Sequence, residues 1–354
     1  MHAAWRQDRT AAMRRTCARL AKRAGKLLLA AVATLGAGSA AATDLTSGGH
    51  VWVLGVNGSL SAREPGSLKS GSQAPDAGAL AVSGNRRRLF GMESAIGRIF
   101  EINTRTLAST PVMELKQPLS GICANPDGSR VMLASQTKKT LQLVDTTAKQ
   151  ALPVPVEAKA FKSCQFSPDG SHAYVTASDA DELLIVDIKG NKLLGKIAAP
   201  GAKPSKIVDV FVHPNPAKRF ALVLGASQLW YLDTASHKLT GAEISLGVPI
   251  QSITFHPDGA HFFAIARDKV FLVDLQTRAT QKTFELTAGA WFRGAAVDAQ
   301  GKRLFVAGNH ETDGGVGAIL NKEGKEFAAI DLETGKRTYQ AFPPVQTVLF
   351  IVTP

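Results

Sequence analysis

The densest group of potential ligands in the chain is the stretch HETDG, where His310, Glu311 and Asp313 set one imidazole and two carboxylates within four residues. Mixed nitrogen and oxygen donors suit a divalent cation. No second histidine stands at ligand spacing, however, and HETDG is not the HExxH of zinc proteases, so no metal is expected and the three residues are read as loop contacts. A second acidic stretch, SDADE from Ser178 to Glu182, lacks the spacing of an EF-hand loop and reads as solvated. The chain has no GxSxG, P-loop, complete GxGxxG, CxxCH or CxxC. Nothing in it calls for covalent catalysis or a bound cofactor, and neither a catalytic residue nor a cofactor is predicted.

These residues must be positioned by a scaffold, and the scaffold begins after residue 42. Residues 1–42 carry eight Lys/Arg, then the apolar run LLLAAVATLGAGSAAA and small residues at Ala40, Ala41 and Ala42. That is the layout of a cleavable export signal, too short and small-residued for a membrane span. A periplasmic or secreted protein without a transmembrane anchor after cleavage is therefore expected. The net charge of +12 falls to +5 once the leader is removed, with 33 basic and 28 acidic residues left. The longest basic run is Arg86, Arg87 and Arg88, and aromatics make up 6%, so nucleic acid is a poor partner. In an oxidising compartment Cys123 and Cys164 could pair. They stand three and four residues before their turn prolines, on opposite strand faces, which reads instead as two buried, unpaired thiols.

The remaining chain repeats. ICANPDGSRVMLAS from Ile122, CQFSPDGSHAYVTAS from Cys164, VFVHPNPAKRFALVLG from Val210 and ITFHPDGAHFFAIA from Ile253 align on Pro126, Pro168, Pro214 and Pro257, spaced by 42, 46 and 43 residues. Weaker copies start at Ala81 and Ala295. A second marker runs in phase: strands ending at Asp145, Asp187, Asp233, Asp274 and Asp331, with Asn103 in the same place. Pro presets φ and Gly takes the left-handed region in the first turn; Asp or Asn closes the second as an Asx turn. Each unit reads as four short antiparallel strands, and a period near 42 residues belongs to propeller blades stacked around an axis.

Tyr174-Val175-Thr176 behind Pro168-Asp169-Gly170, followed by the VD-containing strand, resembles the YVTN family of bacterial β-propeller repeats, with Ala177 where the motif has Asn. The resemblance covers about residues 79–341 as six units. It implies a fold shared with lactonase-like enzymes and with haem- or quinone-linked subunits of periplasmic dehydrogenases and nitrite reductases. The expected architecture is an all-β, seven-bladed propeller over residues 43–354. Residues 345–354 supply the first strand of the closing blade and about 49–66 its third and fourth; no segment stands out as its second.

Alignment of the repeats places Ser120, Lys162, Lys206, Gln251, Arg293 and Gln346 at the start of first strands, around the channel mouth on the blade-junction face. Three cations there would favour an anionic ligand. Trp291 and Phe292 are read as packing between blades, and His213 and His256 as repeat positions. The only long irregularity is the loop containing HETDG, since Asp274 and Asp331 are 57 residues apart. The resulting expectation is a monomeric binding or scaffold module whose partner is another periplasmic protein or an anionic small molecule. The alternative is a lactonase-like hydrolase or redox-enzyme accessory propeller.

Overall fold

The computed structural model describes residues 50–55, 60–63, 70–74, 77–135, 140–156, 161–177, 182–200, 206–286, 290–310, 327–340 and 345–351. In chain order, β1 (His50–Gly55), β2 (Leu60–Arg63) and β3 (Ser70–Ala74) form a closing blade with the last strand, β28 (Val345–Ile351). Blade one is β4 (Ala79–Val82), β5 (Leu89–Glu93), β6 (Arg98–Ile102) and β7 (Ser109–Glu114). Blade two is β8 (Leu119–Ala124), β9 (Arg130–Ser135), β10 (Leu141–Asp145) and β11 (Gln150–Val154). Blade three is β12 (Phe161–Phe166), β13 (His172–Ala177), β14 (Glu182–Asp187) and β15 (Lys192–Ala198). Blade four is β16 (Asp209–Val212), β17 (Phe220–Leu224), β18 (Gln228–Asp233) and β19 (Lys238–Ser245). Blade five is β20 (Ile250–Phe255), β21 (His261–Ala266), β22 (Lys269–Asp274) and β23 (Thr280–Glu285). Blade six is β24 (Ala290–Val297), β25 (Arg303–His310), β26 (Phe327–Asp331) and β27 (Arg337–Gln340). All seven sheets are antiparallel and four-stranded, giving a seven-bladed β-propeller. Among the described residues no helix is long and apolar enough to cross a membrane.

The repeated residues make the turns. In blade two the Asn125 N–H meets the Arg130 carbonyl and Gly128 N–H the Asn125 carbonyl, with Gly128 at φ +73°. Asp127 accepts from the Ser129 N–H at 2.9 Å. The outer hairpins close as Asx turns: Asp145 accepts from Thr147 and Ala148 N–H, Asp233 from Ala235 and Ser236, and Asn103 from Arg105 and Thr106. The second strands are buried on both faces, as in Val131–Ser135 and Phe262–Ala266, and the cores lie between blades. A four-stranded sheet that must bury both faces has no stability alone, so each blade depends on two neighbours.

First strands of successive blades touch from β4 through β8, β12, β16, β20 and β24 to β28. The ring then closes through β1, which pairs with β28 from His50↔Ile351 to Gly55↔Val345. Side chains of β1 (Trp52, Leu54) and β2 (Leu60, Ala62) pack on blade one against Ala77, Leu89, Phe100 and Ile102. The closing blade differs from expectation in strand order. His50–Gly55 is its second strand, the third is Leu60–Arg63, and the fourth lies at Ser70–Ala74, beyond residue 66. Val51, Trp52, Val53 and Leu54 are all fully buried, and such an unbroken apolar run belongs in a sheet interior.

Cys123 and Cys164 are joined in a disulfide, with Cα atoms 5.8 Å apart, so the expectation of two unpaired thiols is overturned. Their offset from the turn prolines does place them on opposite faces of their own sheets. Neighbouring blades, however, present opposite faces to each other, and β8 lies against β12. The offset therefore brings the two sulfur atoms together across the blade interface. The bond closes a span of 41 residues, for which chain entropy gives about 4 kcal/mol of stabilisation.

Replacing both cysteines with serine should lower the unfolding free energy, read from the denaturation midpoint and slope, by an amount approaching that figure. Intact protein should leave Cys123 and Cys164 unlabelled by iodoacetamide until it is reduced. Labelling of both without reductant would contradict the bond.

Candidate functional site

The first strand of each blade starts at the blade-junction face, and in five blades its register slips there by one residue. Leu119 pairs with Ser135 and Gly121 with Ala134, skipping Ser120. The same slip skips Lys162 between Phe161 and Ser163, Gln251 between Ile250 and Ser252, and Arg293 between Phe292 and Gly294. In the closing blade Gly55 pairs with Val345 and Leu54 with Thr347, skipping Gln346. A bulge leaves its extra residue out of the ladder and re-aims the side chain. Five of the six residues predicted at the mouth are thus bulge residues, although the side chains of Arg293 and Gln346 lie outside the described residues.

Lys206 is the exception. It is exposed and precedes β16, and the pairing of Asp209 with Leu224 gives the equivalent place in blade four to Val208. Val208 donates its N–H to the Leu224 carbonyl at 2.7 Å, so no residue is skipped.

Ser120 and Lys162 line a cavity of about 470 Å³ at the mouth, together with Leu80, Ser163, Gln165 and Asp209. Lys206 and Gln251 are not among its described lining residues. Ser120 is exposed and its Oγ lies 3.4 Å from the Ala134 carbonyl; Lys162 is exposed as well.

The residue not anticipated is Asp209. Ser163 Oγ lies 2.5 Å from its Oδ1, and the Val210 N–H donates to the same oxygen at 2.7 Å. Ser163 Oγ also shares a 2.7 Å contact with Thr176 Oγ1, which is fully buried. Gln165 Oε1 accepts from the Val212 N–H at 2.9 Å, a second polar tie from blade three to blade four. Burial raises the Asp209 pKa above the usual carboxylate range; the Ser163 and Val210 hydrogen bonds and the charge of Lys162 oppose this and do not cancel it. The mouth is therefore not simply cationic. It sets one ammonium beside one carboxyl that burial drives toward its neutral form. In the sequence Asp209 sits within KIVDVFV, a carboxylate in an apolar strand with no turn to close, and that mismatch was the available clue.

A second cavity, of about 370 Å³, opens toward the Pro-Asp-Gly turns and is lined by Arg86, Phe211, His213 and Phe255. Leu80, Ile122, Cys164 and Gln165 line both cavities, so the two belong to one axial channel with the disulfide at its waist. His213 and His256 join blades: His256 Nε2 lies 3.1 Å from the Gly301 carbonyl of blade six, and His213 packs over Gly259 of blade five.

The remaining candidates give no site among the described residues. His310 ends β25 with its side chain outside them, as are the side chains of Trp291 and Phe292, and Glu311, Asp313 and Ser178–Asp181 lie wholly outside. Glu182 pairs with Lys196 at 3.2 Å. No three His, Cys, Asp or Glu side chains converge as metal ligands among the described residues.

No protein family matches the chain, and no curated protein does. Solved structures do. Hydrazine synthase from Kuenenia stuttgartiensis superposes with a TM-score of 0.54 at 16% identity, over 72% of this chain and 76% of that one. Dihydro-heme d1 dehydrogenase NirN in complex with DHE gives a TM-score of 0.59 at 11% identity, over 84% and 74%. At these identities the likeness is one of fold alone, and the fold is the β-propeller.

Proposed function

We propose that the chain is a binding module whose ligand is a small molecule with a negative group, held at the blade-junction mouth. The observation that carries this reading is the placement of Lys162 and Asp209 on one wall of a 470 Å³ cavity, a size that suits a metabolite. Lys162 would hold the negative group. The Asp209 carboxyl and the Ser120 and Ser163 hydroxyls would meet the polar atoms behind it. Bulges at five first strands supply side chains that the ladder does not use.

Export to the periplasm and membership of a YVTN-like group complete the reading. The arginine-rich leader and the Tyr174-Val175-Thr176 motif support them, and so does the disulfide, which persists in oxidising compartments. The alternative, a lactonase-like hydrolase or redox accessory, is favoured by the short Ser163–Asp209 contact. The NirN structure is a complex with DHE, which supports a small-molecule role for this fold. A protein partner at His310, Glu311 and Asp313 is the scaffold form of the proposal.

The test is thermal shift of the mature protein against a panel of dicarboxylates, phosphates and lactones. A ligand at 100 times its Kd stabilises by about 2.7 kcal/mol, a rise of several degrees. Lys162→Ala should abolish the rise while leaving the unliganded melting temperature within a degree or two, because Lys162 is exposed. A flat response across the panel, or an undiminished one in the variant, would refute the site.

Asp209 adds a pH signature. Its folded pKa lies above the unfolded value, so the native state holds the proton more tightly. Its contribution is full below the unfolded pKa and is lost as pH rises through the folded one. Asp209→Asn keeps an acceptor for Ser163 and Val210 and should remove that decline, making the variant at least as stable as the parent at neutral pH. A variant less stable at pH 7, with an unchanged pH slope, would contradict a raised Asp209 pKa.

A further inference from the structure

We propose a second ligand site at the opposite end of the channel, where Arg86 binds the carboxylate of a molecule with an apolar body. Arg86 is half-buried, and among the described residues its guanidinium has no hydrogen bond, ion pair or ring contact. Its two neighbours in the basic run differ. Arg87 is exposed, and Arg88 is bound by Glu101 at 2.7 Å and by the Gly128 carbonyl at 2.6 Å.

The position of Arg86 in the turn is unusual for its type. The Arg86 N–H bonds the Ser83 carbonyl as Gly128 bonds Asn125, Gly170 bonds Ser167, Gly259 bonds His256 and Gly301 bonds Asp298. Those four are glycines at φ +68° to +73°, and Arg86 takes φ +58° in the same place. A left-handed conformation disfavours any side chain, so blade one carries a strained cation where four other blades carry none. The turn is fixed: Asn85 N–H bonds the Pro126 carbonyl of blade two, and Ser83 Oγ bonds Asn85 Oδ1 and accepts from the Arg88 N–H.

The cavity wall selects the rest of the ligand. Arg86 is the only formal charge among its described lining residues, since burial lowers the pKa of His213 and keeps that ring neutral. Pro126, Phe211, Pro214 and Phe255 surround it with apolar surface. Burial also lowers the Arg86 pKa, with no carboxylate acting to offset it. A guanidinium in such a place pairs with a carboxylate through two parallel hydrogen bonds, strengthened by the low local dielectric. A volume of about 370 Å³ accommodates an acyl chain or aromatic ring behind the carboxylate.

Isothermal titration of the mature protein with octanoate and benzoate, against octanol and benzyl alcohol, tests the proposal. The acids should bind and the alcohols should bind about tenfold more weakly or not at all. Arg86→Gly, which restores the residue the other turns use and relieves strain, should fold normally and lose acid binding about tenfold or more. Arg87→Gly, a change at the exposed neighbour, should bind the acids like the parent. Equal binding by Arg86→Gly, equal affinity for acids and alcohols, an equal loss in Arg87→Gly, or no heat from the parent at millimolar acid would overturn it.

Discussion

The ring is held shut by one antiparallel pairing between the two ends of the folded chain. β28 supplies the innermost strand of the closing blade and β1 the next, so the last blade exists only when residues some 300 apart meet. Every other strand pairing among the described residues joins consecutive strands. Without that one, blades one and six would each expose a face built for burial, and the core of Trp52, Leu54, Leu89 and Phe100 would face water. Because the sheets bury both faces, the loss would not stay local.

Closure also makes the channel. Seven first strands are drawn to one axis, and their pleats cannot all fill it with side chains, which leaves room at both ends. The bulges at the blade-junction end free one residue per strand from the ladder in five blades, and two of these, Ser120 and Lys162, line the mouth. The disulfide ties blades two and three at the channel waist, and the Ser163–Asp209 and Gln165–Val212 contacts tie three to four. Stability and site therefore come from the same blade interfaces, and the polar groups at the mouth are fixed by strands instead of loops.

The architecture was legible because turns have strict residue demands. Pro-Asp-Gly and the hairpin-closing Asp recur at a near-constant interval, and the structure uses Asp127, Asp145 and Asp233 as those demands require. The mouth was legible in part for the same reason: a residue counted back from a turn lands at the bulge, as Ser120 and Lys162 do. The rest depended on relations between blades that period-two reading within a strand cannot supply. Facing of Cys123 and Cys164 is set by the neighbour's orientation, and offset residues meet where aligned ones would not. Asp209 stands in the register place of Ser163, Gly121, Ser252 and Gly294, and a carboxylate there is not part of the repeat, so the alignment did not single it out. His50–Gly55 was misplaced by one strand because an unbroken apolar run such as Val51–Leu54 suits a second or a third strand equally, and the run's length alone does not separate them.

Native-state hydrogen exchange of the β1 and β28 amides tests closure most directly. If the ring depends on this pairing, these amides exchange only through global unfolding, with the same opening free energy as the β13 amides of blade three. Rapid exchange in β1 and β28 while β13 stays protected would show that the ring opens without unfolding, and the account of a propeller locked by its two ends would fail.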